Sequence, residues 1–356
     1  MLHSINPLYT TAFGSAFVGD SLHLLDHVKK ESINLVVTSP PFCLLRQKEY
    51  GNLPQDEYID WLTGFAKKVK DVLLDDGSFV LDLGGAYEKD RPIRSLYNYR
   101  ILIKFCDELG FNLAEEFFWF NPAKLPSPIE WVNKRKIRAK DAVNTIWWFS
   151  KSDYPKADIT KVIVPYSARM QKLLKDRKKY YTPKLRPSGH DISRGFEGID
   201  RGGALPSNYL IDASNALEVA NTEATSKYLR NCRTAGAEPN PARFPKKIPD
   251  FFIRFLTNPG DTVLDIFSGS NTTGEAAEDN QRLWISFENE RKYVAGSALR
   301  FIDTGNEDEI KLLYNKLIEP NTHTVRILTT LVAEEKEHDL PIVMQIEENS
   351  TKTSTF

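Results

Sequence analysis

Ile33-Asn34-Leu35-Val36-Val37-Thr38-Ser39-Pro40-Pro41-Phe42 is the stretch that decides the fold. Its first six residues form a short, mostly apolar, β-branched run that reads as a buried strand. Two consecutive prolines then fix φ and remove backbone donors, so the strand runs into a stiff loop of free carbonyls. Three further segments, 78–83, 262–267 and 283–287, read as buried strands by the same signs. Helical patterns lie between them at 55–74, 94–109, 248–256 and 272–279. In the first, Tyr58, Trp61, Leu62, Phe65, Val69, Val72 and Leu73 recur at helical spacing, and Asp75-Asp76-Gly77 ends the run. Strands alternating with helices predict an α/β fold with a doubly wound, mostly parallel sheet. Ligands of such sheets sit outside the carboxyl ends of the strands, which is where the Ser-Pro-Pro-Phe loop falls.

The 356 residues suit two domains or one enlarged domain. No stretch approaches the roughly 20 apolar residues of a membrane span. The opening MLHSINPLYTT lacks the cationic and apolar parts of a signal peptide. Cys43, Cys106 and Cys232 are scattered, and make neither a disulfide framework nor a metal cluster. They suit a reducing cytoplasm. The net charge of −1 hides an uneven distribution. Residues 130–200 hold 17 basic against 8 acidic side chains, and residues 301–356 hold 5 against 11. The basic middle fits either a phosphate backbone or an ordinary solvated face. From 151 to 241 the helical and strand patterns weaken, and Pro, Gly, Lys, Arg, Tyr and Ser dominate. That composition reads as an inserted, loop-rich region.

Two loops carry chemistry. In Ser39-Pro40-Pro41-Phe42, the serine oxygen and the Pro40 carbonyl are two acceptors beside an aromatic face. That set suits a flat heterocycle with an amino group, and it also suits a plain rigid turn. The second loop is Asp265-Ile266-Phe267-Ser268-Gly269-Ser270-Asn271-Thr272-Thr273-Gly274, joining a strand to a helix through small residues. Gly269 admits a cofactor close to the backbone. Glu288 ends the next strand, where an acidic residue commonly bonds ribose hydroxyls. The dinucleotide glycine spacing and the Walker lysine are both missing, so the loop suits an adenosine-bearing cofactor without a pyrophosphate.

Together, and in this order, the two motifs resemble the β group of DNA amino-methyltransferases, which carry a catalytic [S/D]-P-P-[Y/F] and a cofactor F-x-G-x-G in one chain. The resemblance spans roughly Val18 to Asp303. It is closest to the PvuII-type cytosine-N4 modification methylases, through the runs FNPAKLPSPIEWVNKRK and VNTIWWFSK. It implies S-adenosyl-L-methionine as cofactor and double-stranded DNA as partner. By position, Ser39, Pro40, Pro41 and Phe42 resemble the catalytic motif, and Asp82 the carboxylate that partners the serine. Asp20, Thr38, Phe244, Pro245, Asp265, Phe267, Gly269, Ser270, Asn271, Thr272 and Glu288 resemble cofactor contacts. Asn271 departs from the family's second glycine, but asparagine tolerates the left-handed backbone that the turn requires.

The resemblance divides the chain into a catalytic half at 1–150, an inserted target-recognition region at 151–241, a cofactor-binding half at 242–320 and an acidic tail at 321–356. Lys134, Arg135, Lys136 and Arg138 are candidates for DNA phosphates, and Arg186, His190 and Arg194 for base edges. Serine rather than aspartate before Pro-Pro favours N4 of cytosine over N6 of adenine, with a non-catalytic nucleic-acid-binding protein as the alternative from another class. No Pro-Cys occurs, which removes carbon-5 methylation through a cysteine. The resemblance further implies a restriction–modification system, a CAGCTG target shared with a cognate endonuclease, and no stable protein partner.

Overall fold

The computed structural model describes residues 5–42, 55–121, 124–176, 179, 200–210, 226–241, 243 and 245–327. Ten strands among them make one sheet: β1 (Tyr9–Thr10), β2 (Gly14–Val18), β3 (Ile33–Thr38), β4 (Leu73–Leu83), β5 (Asn112–Phe120), β6 (Val143–Ser150), β7 (Tyr209–Leu210), β8 (Thr262–Asp265), β9 (Leu283–Glu288) and β10 (Val325–Arg326). Their order is β10-β1-β2-β9-β8-β3-β4-β6-β5-β7. The five strands β2, β9, β8, β3 and β4 are mutually parallel. The doubly wound, mostly parallel α/β architecture expected from the sequence is therefore the one observed.

Apolar packing covers both faces of the sheet, and β6 shows how. Its side chains alternate in direction, as in any strand. Phe149 and Trp147 point to one face, where Phe149 meets Phe105 and Phe111 at ring-centroid distances of 5.5 and 5.9 Å. Trp148 points to the other face and meets Phe255 at 5.2 Å. Phe105 lies on the helix Tyr97–Asp107, and Phe255 on the helix Lys247–Leu256. All but the partly exposed edges of these rings are buried, and each fully buried aromatic contributes roughly 1.5–3 kcal/mol.

The structure differs from the sequence reading at several boundaries. The helix expected over 55–74 ends at Val72, and Leu73 already begins β4. Asp75-Asp76-Gly77 belongs to an irregular stretch of the strand. Ile33 pairs with Leu73 and Leu35 with Ser78, so β4 advances five residues while β3 advances two. A Cβ on Gly77 would come within 2.9 Å of the Leu74 carbonyl, so the fold there requires glycine. The helix expected over 94–109 spans Tyr97–Asp107, because Arg94 leaves to pair with Asp141 at 3.2 Å. The strand expected over 262–267 stops at Asp265. β5 and β6 were not anticipated as strands. The exposed start of β5 and the polar Asn144 and Thr145 of β6 blur their apolar alternation.

A second compact unit spans Ala157–Ser207. It holds a 3-10 turn at Ile159–Val162 and a helix at Ala168–Lys175, capped by Asp158 and Ser167. An antiparallel bridge joins Val164 to Ala204. Arg186, His190 and Arg194 lie outside the described residues, as do Cys43, Phe244 and the acidic tail beyond Ile327. Among the described residues no helix is long and apolar enough to cross a membrane, and no group of His, Cys, Asp or Glu could hold a metal ion.

Candidate active site

Ser39 follows β3 directly. Thr38 is the register partner of Leu81 in β4, which places Ser39 beside Asp82. The Ser39 hydroxyl donates to Asp82 Oδ2 at 2.9 Å. Asp82 is 1% exposed, and its Oδ1 is buried with no hydrogen-bond partner. Burial pushes the carboxyl up to about 7, opposed by the Ser39 hydroxyl, the Asn144 amide and the Lys124 ammonium. Ionising a carboxyl displaced that far costs about 4 kcal/mol of folding stability. Perturbed carboxyls of this kind cluster at functional sites. The Phe42 ring lies against Gly84, where an added Cβ would come within 2.7 Å of it. Pro40 is buried behind the serine, and Pro41 is half-buried.

The small-residue turn occupies the neighbouring strand end. β8 pairs with β3 on one side and β9 on the other. Asp265 ends β8 and is buried, with its charge disfavoured by burial. Its Oδ1 accepts from Thr38 Oγ1 at 2.7 Å and from the Phe267 N–H at 3.0 Å. Its Oδ2 accepts from Thr273 Oγ1 at 2.6 Å. Thr38 and Asp265 thus tie the serine loop to the turn. Gly269 adopts φ +50°, and its N–H donates to Glu288 Oε2 at 3.0 Å. Glu288 Oε1 accepts from the Glu290 N–H at 2.9 Å, and burial raises this carboxyl as well. Phe267 is half-buried, against Trp61 at 5.4 Å and Phe65 at 4.9 Å.

Asn271 stands at φ 54°, ψ 43°, the left-handed conformation expected for it. Its Oδ1 accepts from the Gly274 N–H at 3.0 Å and caps the helix Thr272–Asp279. Its Nδ2 donates to the buried Tyr9 hydroxyl at 3.0 Å. Ser270 and Thr272 are buried below the turn, where Arg300 gathers them. The guanidinium donates to the Ser270 carbonyl at 2.5 Å, Ser270 Oγ at 2.9 Å and Thr272 Oγ1 at 3.0 Å, and it pairs with Glu275 at 2.7 Å. The Tyr228 ring lies 4.3 Å beneath it.

Asp20 is exposed at the end of β2, and caps the helix Ser21–Leu25 by accepting from the Leu22 N–H at 2.9 Å. Gly19, just before it, donates to the Glu288 carbonyl at 3.0 Å, so Asp20 and Glu288 share one edge. Pro245 is half-buried, and its carbonyl accepts from the Ile248 N–H at the start of Lys247–Leu256. Of the basic candidates, Lys134 and Arg135 both pair with Glu130, at 3.1 and 3.0 Å. Arg135 also covers Trp131 at 5.1 Å. Lys136 is exposed at φ 55°, and Arg138 donates to the Pro92 carbonyl at 2.9 Å.

A family model described as DNA methylase matches residues 33–299. The chain belongs to this DNA methylase family. Residues 33–299 carry both loops, while Tyr9, Asp20 and Arg300 lie just outside the match. The type II methyltransferase M.PvuII of Proteus hauseri is 58% identical over 313 residues, which is 88% of this chain and 91% of the relative. M.BglII of Bacillus subtilis is 25% identical, covering 78% of this chain and 65% of the relative. A solved structure described as the PvuII DNA methyltransferase (cytosine-N4-specific) aligns with a TM-score of 0.71 and 50% identity, covering 91% of this chain and 98% of that one.

Sequence reasoning did not single out Asn144, Lys124, Arg300, Tyr228 or Tyr9 in this methylase. Asn144 and Lys124 sit inside the two long runs that carry the resemblance, and a buried asparagine within the apolar VNTIWWF run was their only local signal. Asn271→Ala should remove the cap and leave a left-handed residue without its local bonds. A loss of about 1–3 kcal/mol is expected, with a smaller loss for Asn271→Gly, both read from urea unfolding midpoints.

Proposed function

We propose that this chain is a site-specific DNA methyltransferase that uses S-adenosyl-L-methionine to methylate N4 of cytosine extruded from double-stranded DNA. The carrying observation is the Ser39–Asp82 hydrogen bond, set beside the Asp265–Gly269 turn on adjacent strand ends. The preference for cytosine rests on the relative whose description reads cytosine-N4-specific. Work within a restriction–modification system rests on the type II relative, a target shared with a cognate endonuclease on the sequence resemblance, and a cytoplasmic location on the scattered cysteines.

The residues present fit the cofactor. Glu288 accepts one backbone N–H on each oxygen, leaving lone pairs for two ribose hydroxyls. Asp20 lies at the same edge, and the half-buried Phe267 ring offers an apolar face. Gly269, with Ser270, Asn271 and Thr272 behind it, keeps the turn free of bulk. Phe244 and Pro245 belong to the element that would close over the methionine end. When bound, the cofactor supplies an electrophilic methyl group.

The protein's part is positioning and proton handling. Ser39 has one hydroxyl proton and gives it to Asp82. Its oxygen therefore faces the substrate as an acceptor only. With the Pro40 carbonyl it takes both hydrogens of the exocyclic amino group, which favours a tetrahedral nitrogen with its lone pair free for transfer. Phe42 stacks on the extruded ring. The proton lost from the methylated nitrogen passes through Ser39 to Asp82. Extrusion costs a few kcal/mol, and the exposed Lys134–Arg138 segment holds phosphates against that cost. Residues 151–241 form the inserted target-recognition region, between the catalytic half at 1–150 and the cofactor-binding half at 242–320. Arg186, His190 and Arg194 read base edges from within it.

Ser39→Ala should abolish nearly all turnover and leave DNA binding intact. Mass analysis of nucleosides from DNA incubated with the protein and labelled cofactor reads the outcome. N4-methylcytosine supports the reading, N6-methyladenine replaces the substrate, and normal turnover by Ser39→Ala removes the serine's role. Because the working form of Asp82 is the carboxylate, turnover should fall as the pH drops through about 7. A flat rate from pH 6 to 8.5 would contradict that assignment. Charge reversal at Lys134, Arg135, Lys136 and Arg138 should weaken binding to all DNA sequences alike and flatten its salt dependence. Titrations at two salt concentrations would test this, and equal affinities for variant and parent would reject the placement.

A further inference from the structure

Two side chains outside the serine motif stand behind the Ser39–Asp82 pair. Asp82 pairs across the sheet with Ile146 of β6. Asn144 lies two residues before Ile146, so it shares the face of Asp82 as its diagonal neighbour. It is buried, at 7% exposed. The residue approaching it from β4 is Gly84, where an added Cβ would lie 3.4 Å from Asn144 Oδ1. Lys124 comes from the loop after β5, and its Nζ donates to Asn144 Oδ1 at 2.9 Å. The ammonium is itself half-buried, and desolvation lowers its pKa against the pull of Asp141 and Asp82.

The chemistry of the amide turns this contact into a switch of direction. An asparagine side chain has a carbonyl that accepts and an NH₂ that donates, and a lysine only donates. The bond from Lys124 therefore fixes the carbonyl toward the lysine and leaves the NH₂ turned to the side of Asp82, whose Oδ1 makes no close hydrogen bond and whose charged form the amide favours. A donor presented to a carboxylate favours its ionised form. An ionised Asp82 can only accept, so the Ser39 proton must point at it. If the amide turned over, its carbonyl would face Asp82 and favour the protonated acid. Asp82 would then donate to Ser39, and the serine hydrogen would point at the substrate amino group, where a lone pair is needed.

We propose that Lys124 and Asn144 are positioning residues that set the direction of the Ser39–Asp82 hydrogen bond, by fixing which end of the Asn144 amide faces the carboxylate. The groups facing Asp82 are Ser39 from the β3 end, Asn144 from β6 and Lys124 from the loop. Beyond them, Asp141 is paired with Arg94, so the neighbourhood carries two acids against two bases.

The inference rests on the methyl-transfer reading. Its test is the pH profile of kcat, measured with S-adenosylmethionine and unmethylated genomic DNA for Lys124→Met, Asn144→Leu and Lys124→Arg. Cofactor affinity, measured alongside, reports an intact fold. Lys124→Met should move the acid limb up by about one pH unit, cutting the rate about fivefold near pH 7 and about tenfold at lower pH, with recovery at high pH and unchanged KM. Asn144→Leu should move the limb the same way, and Lys124→Arg should hold it near the parent's. An unmoved limb in both Lys124→Met and Asn144→Leu overturns the inference, whether the rate is unchanged or lowered equally at every pH. An inactive Ser39→Ala beside an unmoved limb removes this inference alone. A fully active Ser39→Ala removes the functional reading beneath it.

Discussion

The Asp265 carboxylate is the knot on which the site depends. It is buried, and it accepts from a threonine on the serine strand, a threonine on the helix after the turn and a backbone N–H of the turn itself. A buried carboxylate is tolerated only with such compensation, because an isolated one carries a heavy desolvation cost. Three donors in fixed directions make the anion a spacer of defined size. It holds the end of β3 against the end of β8, and thereby holds the Ser39-Pro40-Pro41-Phe42 loop against the Gly269 turn.

Much of this was legible in the chain. The apolar β-branched run at 33–38 and its companions near 78, 262 and 283 are strands because they are buried on both faces, and that burial leaves a continuous apolar signature. β5 and β6 left a weaker one. One end of β5 is exposed, and β6 interrupts its aromatic alternation with Asn144 and Thr145. β1, β7 and β10 have two residues each, too few to show any period. Asp75-Asp76-Gly77 reads as a helix stop, yet the register shift that uses it depends on a neighbouring strand that local pattern does not encode.

The site was legible where function leaves a rare local string. Ser39-Pro40-Pro41-Phe42 is such a string, and the asparagine in the turn could be given its backbone conformation in advance. Asp82 was reached through resemblance, and the geometry brings it to 2.9 Å from the serine. Asn144, Lys124 and Arg300 had no such string. Their meaning comes from what they touch across the sheet, at separations of 20 to 30 residues and more.

The bond between Asn271 and Tyr9 spans 262 positions, and Tyr9 continues to Ser297. The small-residue turn is thus braced by a strand from the far end of the polypeptide. Contacts that remote form only after long loops close, and loop closure slows folding. During synthesis the proline loop can be made and its strand extended long before the turn has its brace. The turn therefore gains its brace only when the first and the last third of the chain have been brought together.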